Sequence, residues 1–193
     1  VFRSPAAGAL HALVADHAVQ GRVIFPGAGY LEVARAAGAQ ALRGVYFLQP
    51  LAAEAAGLLV ECAMSDGRFE VRASDAEAFA AGATVHCSGA TASAAVWQRV
   101  EHAWVRTPSR AADVAALYDG FAAVGLQYGP GYRTLTSAWG GASEALARLR
   151  ARSTHEGAHV HPADLDDALG TSGLASSGSG ETRLPFAVDD ATL

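Results

Sequence analysis

The sequence predicts an α+β chain in two halves of the same plan, each a buried helix set against antiparallel strands. Three observations carry this. An Ala-rich stretch after Pro26 has apolar residues at near-helical spacing and almost no charge, so it forms a helix wrapped by other structure. Strand-like segments with period-two alternation and an Asp-Gly turn follow it. The gross order of helix and strands then recurs from Asp113 onward.

Residues 1–10 read as an irregular lead-in. His17 to Pro26 is short and extended, and Arg22 to Phe25 is its bulky apolar strand. Gly27 to about Ala41 is the helix. Leu31, Val33, Ala34, Ala37 and Leu42 are its apolar positions, and Tyr30, Glu32, Arg35 and Gln40 its more polar ones. Val45 to Leu48, Gly57 to Met64, Arg68 to Ala73 and Ala83 to Gly89 are strands. Ser65-Asp66-Gly67 supplies a hairpin turn, because Asp-Gly adopts the positive φ such turns require. Residues 90–112 are small, polar and loop-like around VWQRVEHAWVR, which alternates as a strand does. A junction is placed there, with 1–95 as the N-terminal half, 96–112 as a linker region and 113–193 as the C-terminal half.

In the second half, Asp113 to Val124 is helical, with Asp113 as N-cap or first-turn acid, and Gly125 ends it. Residues 125–135, GLQYGPGYRTL, form a loop dense in Gly, Pro and Tyr. Thr136 to Arg150 has a Trp-Gly-Gly break and then SEALARLR, which suits strand and helix equally. Residues 161–169 open a second buried helix with Pro162 at its first position. Residues 170–180 are flexible in composition, and LPFAVDDATL closes the chain as a strand.

Of the 193 residues about half are apolar and 17% are charged, enough to bury a sizeable core. A formal net charge of -5 argues against nucleic acid as partner, since phosphates demand clustered Lys and Arg. No run of about 18 apolar residues predicts a membrane span. No basic region precedes an apolar core at the N-terminus, so a signal peptide is not expected and a cytoplasmic location is. The start at Val1 suggests a piece of something longer. Cys62 and Cys87 lie in strands and not in a C-x-x-C pair, which predicts buried free thiols, with a disulfide the alternative that spacing leaves open.

Four motifs stand in order. H-x-x-x-G-x-x-x-x-P falls at His17, Gly21 and Pro26, and Y-G-P at Tyr128, Gly129 and Pro130. H-P-x-x-x-D falls at His161, Pro162 and Asp166, and L-P-F at Leu184 to Phe186. Together, from about His11 to Leu193, they resemble the dehydratase domain of a modular type I polyketide synthase. The resemblance implies a double hotdog, two antiparallel sheets each wrapped around a long central helix. It implies loss of water from a 3-hydroxyacyl group on acyl carrier protein, giving a 2,3-enoyl thioester. The substrate would ride on the phosphopantetheine arm of the carrier, with no cofactor in the domain itself. Neighbouring synthase domains and a second copy of the chain are the other partners implied.

The family's catalytic His maps to His17 and its catalytic Asp to Asp166, while Tyr128 is expected to support the acid by a hydrogen bond. The chemistry explains the residue types. A proton α to a thioester is weakly acidic and hydroxide leaves poorly, so one group must accept a proton while another donates one. A His suits the base, and an Asp suits the acid only if apolar burial keeps it protonated. Backbone N–H groups at the Gly27–Gly29 helix entry are candidate donors to the thioester oxygen. Double-bond migration and pyran-forming dehydration move protons at the same carbons. An inactive structural domain of a megasynthase is the alternative of a different class.

Taken alone, Asp166 is unremarkable beside Asp164 and Asp167, since acids near a helix start are ordinary caps, and His161 reads as structural. Gly170 stands four residues after Asp166, where the family usually has Gln or His, and the chain stops soon after L-P-F, short of the family's further strands. His155-Glu156-Gly157-Ala158-His159 spells the zinc-protease pattern H-E-x-x-H, but it lacks helical periodicity around it and reads as a solvated loop, so no metal site is expected.

Overall fold

The computed structural model describes residues 1–55, 57–75, 77–79, 82–93, 110–175 and 186–192. Along the chain run β1 (Phe2–Pro5), α1 (Ala9–Val14), β2 (His17–Val19), β3 (Arg22–Val23), α2 (Gly27–Ala36), β4 (Ala41–Phe47), β5 (Leu58–Ser65), β6 (Arg68–Asp75) and β7 (Thr84–Ala92). Then follow β8 (Arg110–Ala112), α3 (Val114–Ala123), β9 (Leu126–Tyr128), β10 (Leu135–Gly140), β11 (Ala145–Leu149), α4 (Pro162–Gly170) and β12 (Ala187–Thr192). Six strands form an antiparallel sheet in the order β1-β5-β6-β7-β4-β12, and β11-β10-β8 and β3-β2-β9 form two smaller sheets. No helix among the described residues is long and apolar enough to cross a membrane.

Helix α2 packs its buried face, Ala28 to Leu31 with Val33 and Ala34, against the large sheet. Leu42, Val45, Val60, Cys62, Phe69, Val71 and Cys87 supply the facing core. The helix ends at Ala36, short of the expected Ala41. Gly38 adopts φ 112°, and the Ala39 N–H closes on the Ala34 carbonyl at 3.1 Å, which stops the helix and turns the chain into β4. Leu42 is therefore a strand residue. Tyr30, expected among the polar positions, is only 3% exposed; its ring packs at 4.9 Å from that of Phe25 and 6.1 Å from that of Phe47.

The first ten residues are ordered, not irregular. β1 pairs antiparallel with β5, bringing Arg3 beside Glu61. Glu61 is 2% exposed and takes hydrogen bonds from Arg3 and from Arg72, whose Nη2 lies 2.6 Å away. The Arg3 hydrogen bond is the largest influence holding its carboxyl below the usual range. Asp66 and Gly67, at φ 49° and 72°, form the expected hairpin turn between β5 and β6. Cys62 and Cys87 are free and buried. Both oppose Val71, one from each side, so a strand separates the thiols by about 9–10 Å and no disulfide can bridge them. Burial pushes them up to about 11 and about 12, which keeps them as inert thiols.

In the second half Asp113 caps α3 by accepting from the Ala115 and Ala116 amides, and Gly125 at φ 92° ends that helix. Leu126 to Tyr128, expected in a loop, form β9 because β2 offers them a ladder. The ambiguous SEALARLR resolves as a strand, β11, hairpinned onto β10. The closing strand β12 pairs with β4 and so extends the large sheet. The segment VWQRVEHAWVR, residues 96–109 of the linker region, residues 176–180 and the Leu184-Pro185 of L-P-F lie outside the described residues.

Gly89 in β7 is closely packed in this core. A Cβ there would lie 2.7 Å from Phe69 Cε1 and 3.2 Å from the Val45 backbone. Gly89→Ala is therefore expected to destabilise the fold by about 1–3 kcal/mol, measured by urea denaturation; wild-type stability would show that the sheet relaxes freely.

Candidate active site

His17 opens β2, and the H-x-x-x-G-x-x-x-x-P motif is the spelling of a tight hairpin leading into a helix. Gln20 and Gly21, at φ 50° and 78°, turn β2 into β3, and the Gly21 N–H donates to Gln127 Oε1 at 2.8 Å. Pro26 is the N-cap of α2 and is fully buried. His17 is 6% exposed. Its Nδ1 lies 2.6 Å from the Ile24 carbonyl oxygen. A carbonyl can only accept, so Nδ1 carries the proton and Nε2 of the neutral ring keeps a free lone pair.

That lone pair faces the other half of the chain. Nε2 is 3.8 Å from Oδ2 of Asp166 on α4. The span is too long for a hydrogen bond, so neither group occupies the other. Asp166 is 9% exposed and its Oδ2 has no hydrogen-bond partner. Burial pushes its carboxyl above the usual range, while His17 and a hydrogen bond from Tyr128 pull part of the way back.

Two tyrosines complete the wall. Tyr128 sits opposite His17 in the β2–β9 register, and both the Tyr128 and Tyr132 rings lie 5.3 Å from the imidazole. Burial, and then the Asp166 charge, push both phenols well above their ordinary value, so they stay neutral donors. Gly129 and Pro130 shape the turn between them, in which the Tyr132 N–H reaches the Gly129 carbonyl at 3.0 Å. His161 proves structural: it is 4% exposed and its Nδ1 accepts from the Ala163 amide at 3.1 Å, capping α4. Gly27 and Gly29 let the first turn of α2 lie against two rings, since a Cβ would fall 3.1 Å from Phe47 Cζ or 2.7 Å from Phe25 Cε1. The Gly29 amide is already bonded to the Pro26 carbonyl at 2.9 Å, so it is not the open donor expected at that entry.

Asp167 is the residue that sequence reasoning missed. It is 1% exposed, and its Oδ2 accepts from the Tyr118 hydroxyl at 2.8 Å and from the Thr134 N–H and Oγ1, both at 2.6 Å. Its Oδ1 has no partner. It thus ties α4 to α3 and to the start of β10. A second carboxyl one residue from Asp166 was the available signal, but acids near a helix start are common enough to hide it. Asp164 behaves as an ordinary acid, paired with Arg152 at 2.7 Å.

Beside Gly170, a Cβ would lie 3.3 Å from Phe121 Cζ, and the Phe121 ring in turn lies 5.7 Å from that of Tyr128. An aromatic face from α3 therefore stands where a longer side chain at 170 would begin. The H-E-x-x-H segment is a turn, with Glu156 and Gly157 at φ 55° and 88°, so His155 and His159 do not share a helix face. Instead the His159 N–H docks on Glu32 of α2 at 2.8 Å.

A sheet wrapped on a helix, with a His from the first half set against a buried Asp from the second, defines a domain of double-hotdog type. A family model described as polyketide synthase dehydratase domain matches residues 1–88, and one described as polyketide synthase dehydratase N-terminal domain matches residues 98–193. The chain belongs to the polyketide synthase dehydratase family. It is 36% identical to polyketide synthase ThaG of Burkholderia thailandensis in an alignment 178 positions long that covers 81% of this chain. It is 32% identical to polyketide synthase GfsE of Streptomyces halstedii in an alignment 210 positions long that covers 96% of this chain. The chain spans only 3% and 6% of those two synthases. Among solved structures, one from work on dehydratase substrate selection for the borrelidin and fluvirucin polyketide synthases is 30% identical. It matches at TM-score 0.75 over 97% of this chain and 70% of that one. The dehydratase domain from the CurF module of the curacin synthase, 22% identical at TM-score 0.81 over 98% of this chain and 75% of that one, shares the fold.

Two outcomes follow from the buried carboxyls. Asp167→Ala strands three buried donors and is expected to destabilise the chain by ~3 kcal/mol in denaturant titration, against less than 1 for an ordinary surface acid. For Asp166 the sign is opposite. Unfolded, it ionises near about 4, whereas folded it holds its proton to higher pH. Between those values the folded chain binds more protons, so stability falls as pH rises. Asp166→Asn, which cannot ionise, should melt higher than the wild type at neutral pH, with the gain shrinking as the pH nears about 4. A gain independent of pH would contradict the burial argument.

Proposed function

We propose that this domain removes water from a 3-hydroxyacyl thioester carried on acyl carrier protein, with His17 as base and Asp166 as acid. One observation carries the reading: an imidazole whose Nδ1 is fixed on the Ile24 carbonyl points its free Nε2 at a buried carboxyl 3.8 Å away. Nε2 takes the proton α to the thioester carbonyl. The C–H electron pair becomes the 2,3 double bond, and the bond to the 3-hydroxyl breaks as Asp166 protonates the departing oxygen. Tyr128 then donates to the Asp166 carboxylate left behind. The amide of Gly27, in the first turn of α2, is the candidate donor to the developing thioester oxyanion. After product leaves, the imidazolium proton passes back to Asp166 and restores the starting state. The thioester arm would come from the carrier's phosphopantetheine, and the domain's own residues supply the acid, the base and the donors.

The test is incubation of the 193-residue chain with 3-hydroxyacyl thioesters of pantetheine, read by mass spectrometry. Loss of one water is expected, and His17→Ala or Asp166→Asn should slow it by about 10²–10⁴-fold. The wild-type rate should fall as rising pH takes the proton from Asp166, above the usual carboxylate range because burial disfavours the charged form. A shifted double bond without mass change would mean isomerisation instead. No turnover on substrates of several lengths would mean a structural domain.

A further inference from the structure

The two reacting groups come from opposite ends of the chain, and backbone pairing alone does not set a side-chain separation of 3.8 Å. A polar path runs between them that the proposed chemistry does not use. Asp16, the residue before His17, accepts the Gly129 N–H on its backbone carbonyl at 2.8 Å and the Gly131 N–H on Oδ2 at 2.5 Å. The Gly131 carbonyl accepts from Arg152 Nη2 at 3.0 Å, and Arg152 Nε donates to Asp164 Oδ1 at 2.7 Å. Asp164 lies on α4, two residues before Asp166. The Arg152 and Asp164 side chains are only 11% and 16% exposed, so water screens this link weakly.

The glycines of the Y-G-P-G turn fit this path. Gly129 has φ -76°, and Gly131 is not among the positive-φ glycines, so neither needs glycine for its backbone. What excludes a side chain is Asp16: a Cβ at Gly129 would lie 2.5 Å from Asp16 Cγ, and one at Gly131 2.7 Å from Oδ2. Between them Pro130 has no N–H to compete for the carboxylate, and its carbonyl is held by Arg150 Nη2 at 2.8 Å. The turn is a cradle for a carboxylate supplied by the neighbour of the base.

We infer that Asp16 and Arg152 are positioning residues, a strut through Gly131 and Asp164 that sets the separation of His17 from Asp166. The inference rests on the reading of those two as base and acid. Arg is needed because its planar fork meets the Gly131 carbonyl and the Asp164 carboxylate together, which a single ammonium cannot do.

The experiment measures kcat and KM for thioester dehydration with Asp16→Ala, Asp16→Asn, Arg152→Lys and the double variant Asp16→Ala/Arg152→Lys. Hydrogen exchange at the Gly131 amide is followed in parallel. Asp16→Ala and Arg152→Lys should each lower kcat by about 10- to 100-fold with KM within about threefold, because misplacement of reacting groups acts on the chemical step. Asp16→Asn, whose Oδ1 still accepts the Gly131 N–H, should keep kcat within about threefold of wild type. The double variant should be no worse than its weaker parent, since both cut one strut. Multiplicative effects, an unchanged kcat, or failure of Asn to substitute would overturn the strut. Gly131 exchange separates this from the functional reading. Faster exchange in Asp16→Ala and Arg152→Lys on a chain inert to thioesters sinks the dehydration reading but not the strut. Wild-type exchange in both sinks the strut whatever the turnover.

Discussion

The short pairing of β2 with β9 is the contact on which the rest of the site depends. It sets His17 opposite Tyr128 and so brings residues more than a hundred positions apart into one ladder. Backbone hydrogen bonds of this kind are directional and fix register, because a slip by one residue would turn every side chain to the other face. With the register fixed, the hairpin at Gln20–Gly21 and the Pro26 cap set where α2 begins, and the Y-G-P-G turn sets where the tyrosines stand. The geometry around His17 is thus inherited from a strand pair three residues long.

Against that scaffold the chain keeps two carboxyls out of water. Asp167 is compensated by three donors on one oxygen and serves as an anchor. Asp166 lacks such a set of donors, although each residue keeps one buried oxygen without a partner. A buried polar atom without a partner lowers stability. The contrast between adjacent residues on one helix separates the group that holds the fold from the group that faces His17.

The motif frame in the sequence was enough to bring His17 and Asp166 together on paper, and the strands β5 to β7 followed from alternation and from the Asp66-Gly67 turn. Most of the remaining differences depend on a partner that local pattern does not show, and one on a single backbone angle. Phe2 to Pro5 looked irregular because their ladder is supplied by β5. Leu126 to Tyr128 looked like loop because β2 is needed to make them a strand. Tyr30 looked polar because its burial comes from Phe25 and Phe47. The end of α2 was misplaced because Ala39 and Leu42 continue the apolar spacing, and only the φ of Gly38 breaks it. Asp167 stayed hidden because Thr134 and Tyr118, which hold it, are scattered across other elements.

The 3.8 Å gap between Nε2 and Oδ2 also constrains stereochemistry. Two groups that close cannot flank a carbon–carbon bond from opposite faces. In the proposed elimination the hydrogen and the hydroxyl must therefore depart from the same side, a syn geometry. With Nδ1 fixed on Ile24 the ring cannot flip to reach the opposite face. The configuration at the hydroxyl-bearing carbon and the conformation of the bound chain would then decide together whether the double bond emerges cis or trans.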